Sequence, residues 1–198
     1  VALIAVSVGM GIGLIAQERG LRSGMAAAAD KFDLVISAPG SELTMMLATV
    51  FLQPSDVPLL DGDIYNEIAS HPNVDIAAPL AFGDSYQGAP VIGTTADFAT
   101  YLADGEIEGR IWQSASEAIA GAAVDIPIGA QFTPAHGMGA DSEDDAHQGF
   151  SYTVVGTIPR SGTPWDRAIL VPVEGVWEVH GLANGHAPDR GDQIGPPF

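Results

Sequence analysis

The stretch 1-VALIAVSVGMGIGLIAQERGLRSGMAAAADKFDLVISA-38 decides how the rest of the chain is read. Val1 to Ala16 pass without a charge, and Gln17, Glu18 and Arg19 then arrive together. A signal peptide has a basic region before its apolar run and a small-residue cleavage site after it. No basic residue precedes this run, and Glu18, Arg19 and Arg22 lie between it and Ala26–Ala29. A cleaved signal is therefore not expected. Sixteen helical residues cover about 24 Å, short of the roughly 20 residues that a membrane span needs. The expectation is a first transmembrane helix that begins upstream and shows its outer end here. Gly9 and Gly13 form a Gly-x-x-x-Gly pair, which lets helices approach closely in lipid. In a soluble helix, Gly9, Gly11 and Gly13 would each cost about 1 kcal/mol relative to Ala. The helical pattern continues past the charges through Leu21, Met25 and Ala26–Ala29. Residues 1–29 thus read as the end of a span followed by a stalk.

Composition narrows the partners. The chain has 198 residues, 7 Lys and Arg against 25 Asp and Glu, and a net charge of −18. Nucleic acids and anionic membrane surfaces both select clustered Lys and Arg, so neither is an expected partner. An acidic surface of this kind chiefly keeps a protein soluble. With 46% apolar residues the chain can build a packed core. There is no Cys, which removes disulfides, cysteine zinc sites and thiol catalysis.

Beyond the stalk, Asp33–Ala38 reads as a strand, broken by Pro39-Gly40. Ser41 is placed to cap a helix over Glu42–Leu52, and Asp61 or Asp63 to cap another over Ile64–Ser70. Pro54–Pro58 between them is a loop, and His71-Pro72 ends the second helix. Strands are expected at Asp75–Phe82 and Pro90–Thr95, with turn material at Gly83–Gly88, then a short helix over Asp97–Leu102. Further strands are expected at Phe132–His136, Phe150–Ile158 and Ala168–Val173, with a turn at Ser161–Asp166 and a helix over Glu174–His180. Two short apolar runs, Glu117–Ala123 and Asp125–Ile128, are separated by small residues. Most connections after residue 74 look like hairpins, so the expected class is α+β with mixed or antiparallel sheets and helices in two lobes. Val91-Ile92-Gly93-Thr94 and Val154-Val155-Gly156-Thr157 echo one another and suggest a repeated unit.

The chain lacks a Gly-x-Ser-x-Gly elbow and a phosphate-binding Gly-x-x-x-x-Gly-Lys-Ser/Thr loop, and its single Lys is Lys31. It is therefore not expected to hydrolyse ATP, and no spacing of its acids singles out a catalytic pair. Gly9, Gly11 and Gly13 follow no strand, so they are not a dinucleotide fingerprint. The acidic, Gly-containing stretch 136–149 is the expected mobile loop. His136 and His147 flank Asp144 and Asp145 in it, and these four residues are the metal-ligand candidates. Against that reading, ordering such a loop costs about 1–2 kcal/mol per residue, which favours a solvated acidic loop. His71 reads as a helix-end residue, and His180 and His186 carry no metal pattern. Trp112, Trp165 and Trp177 read as core or packing residues rather than a ligand cage.

The ordered segments DLVISAPGS, TMMLATVFL, HPNVDIAAPLAFGDSYQGAPVIGTT, GRIWQSASEAIAG and YTVVGTIPRSGTPWDRAILVPVEGVWEVHG follow an uncharged run and a stalk. In this order, over residues 1–182, the chain resembles the extracytoplasmic (MacB-like periplasmic core) domain of FtsX-like, lipoprotein-release-type ABC transporter permeases. The resemblance implies a four-span inner-membrane permease with this domain, residues 30–182, on the periplasmic side between spans one and two. It further implies a homodimer or a dimer with a related permease, a separate cytoplasmic ATP-binding subunit, no cofactor, and motion transmitted through the stalk. Residues 183–198 read as a flexible Gly/Pro-rich segment. Two departures stand out: the usual short helix between Ala123 and Ile126 is largely missing, and the 136–149 loop is the chain's own. No binding residue is carried over. Two other readings compete: a membrane-tethered extracytoplasmic metal- or solute-binding sensor domain, and an exported hydrolase.

Overall fold

A computed structural model of the chain describes residues 2–53, 57–137 and 149–180. It divides into two compact units, Val1–Leu34 and Val35–Phe198.

The first unit is dominated by one helix, α1, Ala2–Ala29, 28 residues long. At about 1.5 Å per residue it extends about 42 Å, against roughly 30 Å for a bilayer's hydrocarbon core. It is long and apolar enough to cross a membrane. Leu3, Ile4, Val6, Met10, Ile12 and Leu14 are all exposed, and Ala and Gly fill the remaining faces, so the first half has no polar side. Such a helix has no stable place in water on its own. Ser7, its one hydroxyl there, donates to the Leu3 carbonyl at 3.0 Å and so is satisfied within the helix. The helix runs unbroken through the charged residues, where Arg22 reaches Glu18 one turn back at 2.6 Å.

The expected first strand is not formed. Asp33–Ala38 carries no sheet pairing, and Leu34 and Ile36 stay 75% and 43% exposed. An apolar run without a partner strand or a covering layer has nothing to hold it as a strand.

In the second unit, α2 spans Glu42–Thr49, and Ser41 caps it by accepting from the Thr44 N–H at 3.2 Å. Helix α3 spans Gly62–Ala69, and Asp61 accepts from the Asp63 N–H at 3.0 Å. Both caps fall where the sequence placed them. Residues 54–56 of the expected Pro54–Pro58 loop lie outside the described residues. Of the expected strand Asp75–Phe82, residues 75–80 form no strand; β1 spans Ala81–Tyr86 and takes in Gly83–Tyr86 of the expected turn. A tight turn at Gln87 and Gly88, both at positive φ, leads into β2, Ala89–Thr94. This is the two-residue hairpin geometry that matches strand twist. Helix α4, Ala96–Leu102, is capped by Thr95. The remaining elements are β3 (Glu108–Gly109), β4 (Glu117–Ala120), β5 (Gln131–Phe132), β6 (Ala135–His136), β7 (Tyr152–Thr157), β8 (Ile169–Pro172) and α5 (Val173–Val179).

The eight strands among the described residues join one mixed sheet, seven of them in the order β3-β7-β4-β8-β2-β1-β6 with β5 paired to β7 off this path, which places the protein in the α+β class. At its centre β4 and β8 run antiparallel, through Ile119↔Leu170 and Ala120↔Ile169. Each has a parallel neighbour on its outer side, β7 beside β4 and β2 beside β8. Those outer neighbours are the two echoed segments, Val154–Thr157 in β7 and Val91–Thr94 in β2. The short sequence echo thus marks equivalent places in the sheet. Ile169, Leu170 and Val171 are fully buried in succession, as a strand covered on both faces requires. Trp112 and Trp165 are buried with them, and Trp177 is half-buried.

The expected strand Phe132–His136 is split. Gln131 and Phe132 pair with β7, whereas Ala135 and His136 pair with β1, at the other side of the sheet. Thr133 and Pro134 carry the chain between them; Pro has no N–H for a ladder, which favours a break at this point. Residues 131–136 therefore join the two sides, and the hydrogen-bonded path closes into a ring. Tyr86, Phe132 and Tyr152 fill this junction, with ring centroids 4.9 Å and 5.5 Å apart in sequence around it.

Candidate metal centre

Three side chains from different parts of the chain meet beside that junction. Asp84 comes from β1, His136 from β6 and His180 from the end of α5, and one ligand atom of each lies within 4.8 Å of the others. Among the described residues this is the one group of three or more His and acidic side chains with such spacing.

Local structure explains the convergence. Strand β1 carries an irregularity between Ala81 and Asp84, at Gly83, whose φ is +147. A bulge re-aims the residues that follow it, and Asp84 and Ser85 are accordingly both buried although they are successive. Asp84 pairs directly with His136 across the ladder. The strand end is fixed by Gly137, whose N–H donates to the Gly83 carbonyl at 2.7 Å and whose carbonyl accepts from the Ser85 hydroxyl at 2.5 Å. His180 is brought in by α5, which lies close on β2. At Gly93 an added Cβ would meet Val176 Cγ2 at 2.7 Å and Val173 Cα at 3.1 Å. Only a residue without a side chain admits that approach.

Asp84 is 4% exposed, His180 is half-buried and His136 faces solvent. Asp84 Oδ1 lies 3.4 Å from His136 Nδ1 and 3.4 Å from His180 Nε2. The two imidazole centroids are 4.8 Å apart at 61°. His180 Nδ1 sits 2.7 Å from the Val176 carbonyl. A carbonyl only accepts, so Nδ1 carries the proton, and in the neutral imidazole Nε2 presents its lone pair toward Asp84. Next to them, the Tyr152 hydroxyl is buried and has no hydrogen-bond partner among the described residues. Burial, with the Asp84 and Glu178 charges beside it, pushes this phenol up.

Other ionisable groups serve the framework. Arg110 holds Glu117 with two hydrogen bonds, one of them 2.7 Å, and the Gln113 N–H adds a third at 2.6 Å. The Arg110 bond leads in keeping the Glu117 carboxyl below its ordinary range. Burial alone would raise Asp166. The Ser161 N–H and hydroxyl, both at 2.7 Å, and the Gly162 N–H at 2.9 Å outweigh it and hold this carboxyl low. Burial, with Glu174 and Asp97 nearby, pushes the Tyr65 phenol up to about 12.

Of the four residues that the sequence offered as metal ligands, the structure places His136 in this cluster. Asp144, Asp145 and His147 lie outside the described residues, as do His186 and residues 183–198. His71 is a helix-end residue as expected, with Nδ1 accepting from the Asn73 N–H at 3.2 Å. Sequence reasoning missed Asp84 and His180. Neither has a spacing signal toward His136, since the contact exists only once β6 crosses to β1 and α5 settles on β2. A scan against models of protein families finds none that matches this chain, and a search of curated proteins finds no match either.

Proposed function

We propose that the chain is the extracytoplasmic part of a permease subunit of an ABC transporter, with α1 as the outer end of its first span. The observation that carries the reading is α1 itself. Its first half is apolar on every face, its second half is charged, and it is a single unbroken helix from Ala2 to Ala29. A continuous helix transmits displacement from a membrane to an exterior domain without any chemistry of its own. The absence of a phosphate-binding loop from the sequence fits a division of labour in which a separate cytoplasmic subunit hydrolyses ATP. The resemblance over residues 1–182 points the same way, to an inner-membrane permease that works as a homodimer or with a related permease. Closure of the ATPase moves the stalk, and the exterior α+β domain follows, driving export or extraction of a substrate.

The test is to express the full-length gene, solubilise the membranes in detergent, recover the protein by affinity and identify what accompanies it. A nucleotide-binding subunit that hydrolyses ATP is the expected companion. Recovery of the protein alone, with no ATPase, overturns the reading. The second reading, a membrane-tethered metal-binding sensor domain, is favoured by the Asp84, His136 and His180 cluster.

A further inference from the structure

We infer that Asp84, His136 and His180 form a binding site for one zinc-class divalent ion, which ties the β1–β6 seam to the end of α5. The distances carry the argument. A charge-assisted N–H···O bond between imidazole and carboxylate is about 2.7–2.9 Å long. Both imidazole-to-Asp84 separations are 3.4 Å. Metal–ligand bonds of about 2.0–2.1 Å at tetrahedral angles place neighbouring ligand atoms about 3.3 Å apart. These two separations are those of ligands around an ion, and the three ligand atoms all lie within 4.8 Å of one another.

Orientation agrees with spacing. Metal-ligating imidazoles commonly donate their second N–H to a carbonyl or carboxylate, which fixes the tautomer. His180 has this arrangement, with Nδ1 on the Val176 carbonyl and Nε2 turned to the site. The donor set selects the ion class. Two imidazoles and one carboxylate suit Zn²⁺ and its first-row neighbours, whereas Mg²⁺ and Ca²⁺ prefer oxygen donors alone. Three protein ligands leave the fourth position of a tetrahedral ion to water or another donor. The ion also places positive charge beside the buried Asp84 carboxylate, in a chain whose net charge is −18. The inference does not depend on the transport reading, because metal occupancy is measured without any ATPase.

The test uses the full chain in detergent, with any affinity tag removed, stripped by a chelator and titrated with ZnCl2 by calorimetry. Co²⁺ is added in parallel as an optical probe of tetrahedral coordination. One ion per chain is expected, undisturbed by excess Mg²⁺. Asp84→Asn, His136→Ala and His180→Ala should each weaken zinc binding by at least the about 10–100-fold that loss of an outer-shell partner costs. Zinc should raise the melting temperature of the parent and not of these variants. His136 faces solvent, so His136→Ala folds normally and keeps the test meaningful if Asp84→Asn does not. His71→Ala should bind as the parent does. Zinc affinity unchanged in both His136→Ala and His180→Ala overturns the inference. So does a loss confined to His147→Ala, or displacement of zinc by Mg²⁺, which would mark binding by surface acids only.

Discussion

Gly93→Ala tests the contact that seats α5 on the sheet. The new methyl would stand 2.7 Å from Val176 Cγ2, 3.1 Å from Ala81 Cβ and 3.1 Å from Val173 Cα. Carbon atoms pack best at about 3.5–4.0 Å, so the Val176 methyl must retreat by about 1 Å and the α5 backbone by a few tenths. Rotation of Val176 gives little relief, because a β-branched side chain in a helix has essentially one χ1 rotamer. Overpacking of this kind costs about 1–3 kcal/mol. Loss of glycine's freedom in the unfolded chain offsets about 0.4–1 kcal/mol of that. The net destabilisation is therefore about 1–2 kcal/mol, or about 2–8 °C in melting temperature for a domain of this size. Val176→Ala alone removes two buried methyl groups, worth about 0.8 kcal/mol each before any cavity term. In the double variant the added methyl takes up space that Val176 has vacated. The two changes should then couple favourably, by about 0.5–3 kcal/mol. Urea unfolding followed by tryptophan fluorescence measures all four corners of the cycle, since Trp112, Trp165 and Trp177 all lie in the second unit. A Gly93→Ala variant as stable as the parent, or a double variant additive within about 0.5 kcal/mol, would show that α5 does not press on β2 at this point.

Three further outcomes follow from the same contacts. Glu117 and Asp166 have folded-state values held below their ordinary ones. Their contribution is complete above the unfolded-chain values of about 4 and is lost as pH falls through the lower folded values. The stability gap between the parent and a Glu117→Gln variant should therefore shrink as urea curves are taken from about pH 6 to pH 3; a constant gap refutes the assignment. Thr95→Ala removes the oxygen that accepts from the Phe98 N–H at 3.3 Å at the start of α4, and should cost about 1 kcal/mol by the same assay. Arg22→Pro combined with Ser23→Gly breaks α1 in its charged half, since Pro alone costs about 3 kcal/mol inside a helix. On the proposed permease reading, the complex purified with its ATPase should go on hydrolysing ATP while transport stops, with the tryptophan spectrum unaltered; unchanged transport rejects the stalk as coupling element.

Much of the local structure was legible because its causes are local. Ser41 and Asp61 each cap a helix through an oxygen three residues or fewer from the N–H it accepts. The α+β class, the hairpin around Gln87-Gly88 and the buried strand at Ile169–Val171 follow from turn chemistry and apolar runs alone. Asp33–Ala38 has the composition of a strand and no partner to pair with, which composition cannot register. Phe132–His136 reads as one strand because its residues suit one. The break at Thr133-Pro134 becomes visible only when Phe132 is seen on β7 and Ala135 on β1.

The same topology explains why the site was only one-third visible. His136 drew notice through its acidic neighbours in the chain, yet the carboxylate beside it in space is Asp84, a single acid in an otherwise unremarkable hairpin. Asp84 is turned inward by the bulge at Gly83, and His180 is delivered by the seating of α5 on Gly93. Both are tertiary effects. Their meeting point is a slight seam: β6 is two residues long and is fastened to β1 over two paired positions, as β5 is to β7. A short strand with few ladder bonds is where a closed sheet opens first. A tether through Asp84, His136 and α5 acts at that seam and adds to its few ladder bonds. A His and an Asp facing each other across a two-residue strand would otherwise be a poor choice for such a position, since burying a carboxylate there costs free energy that a hydrocarbon side chain would not.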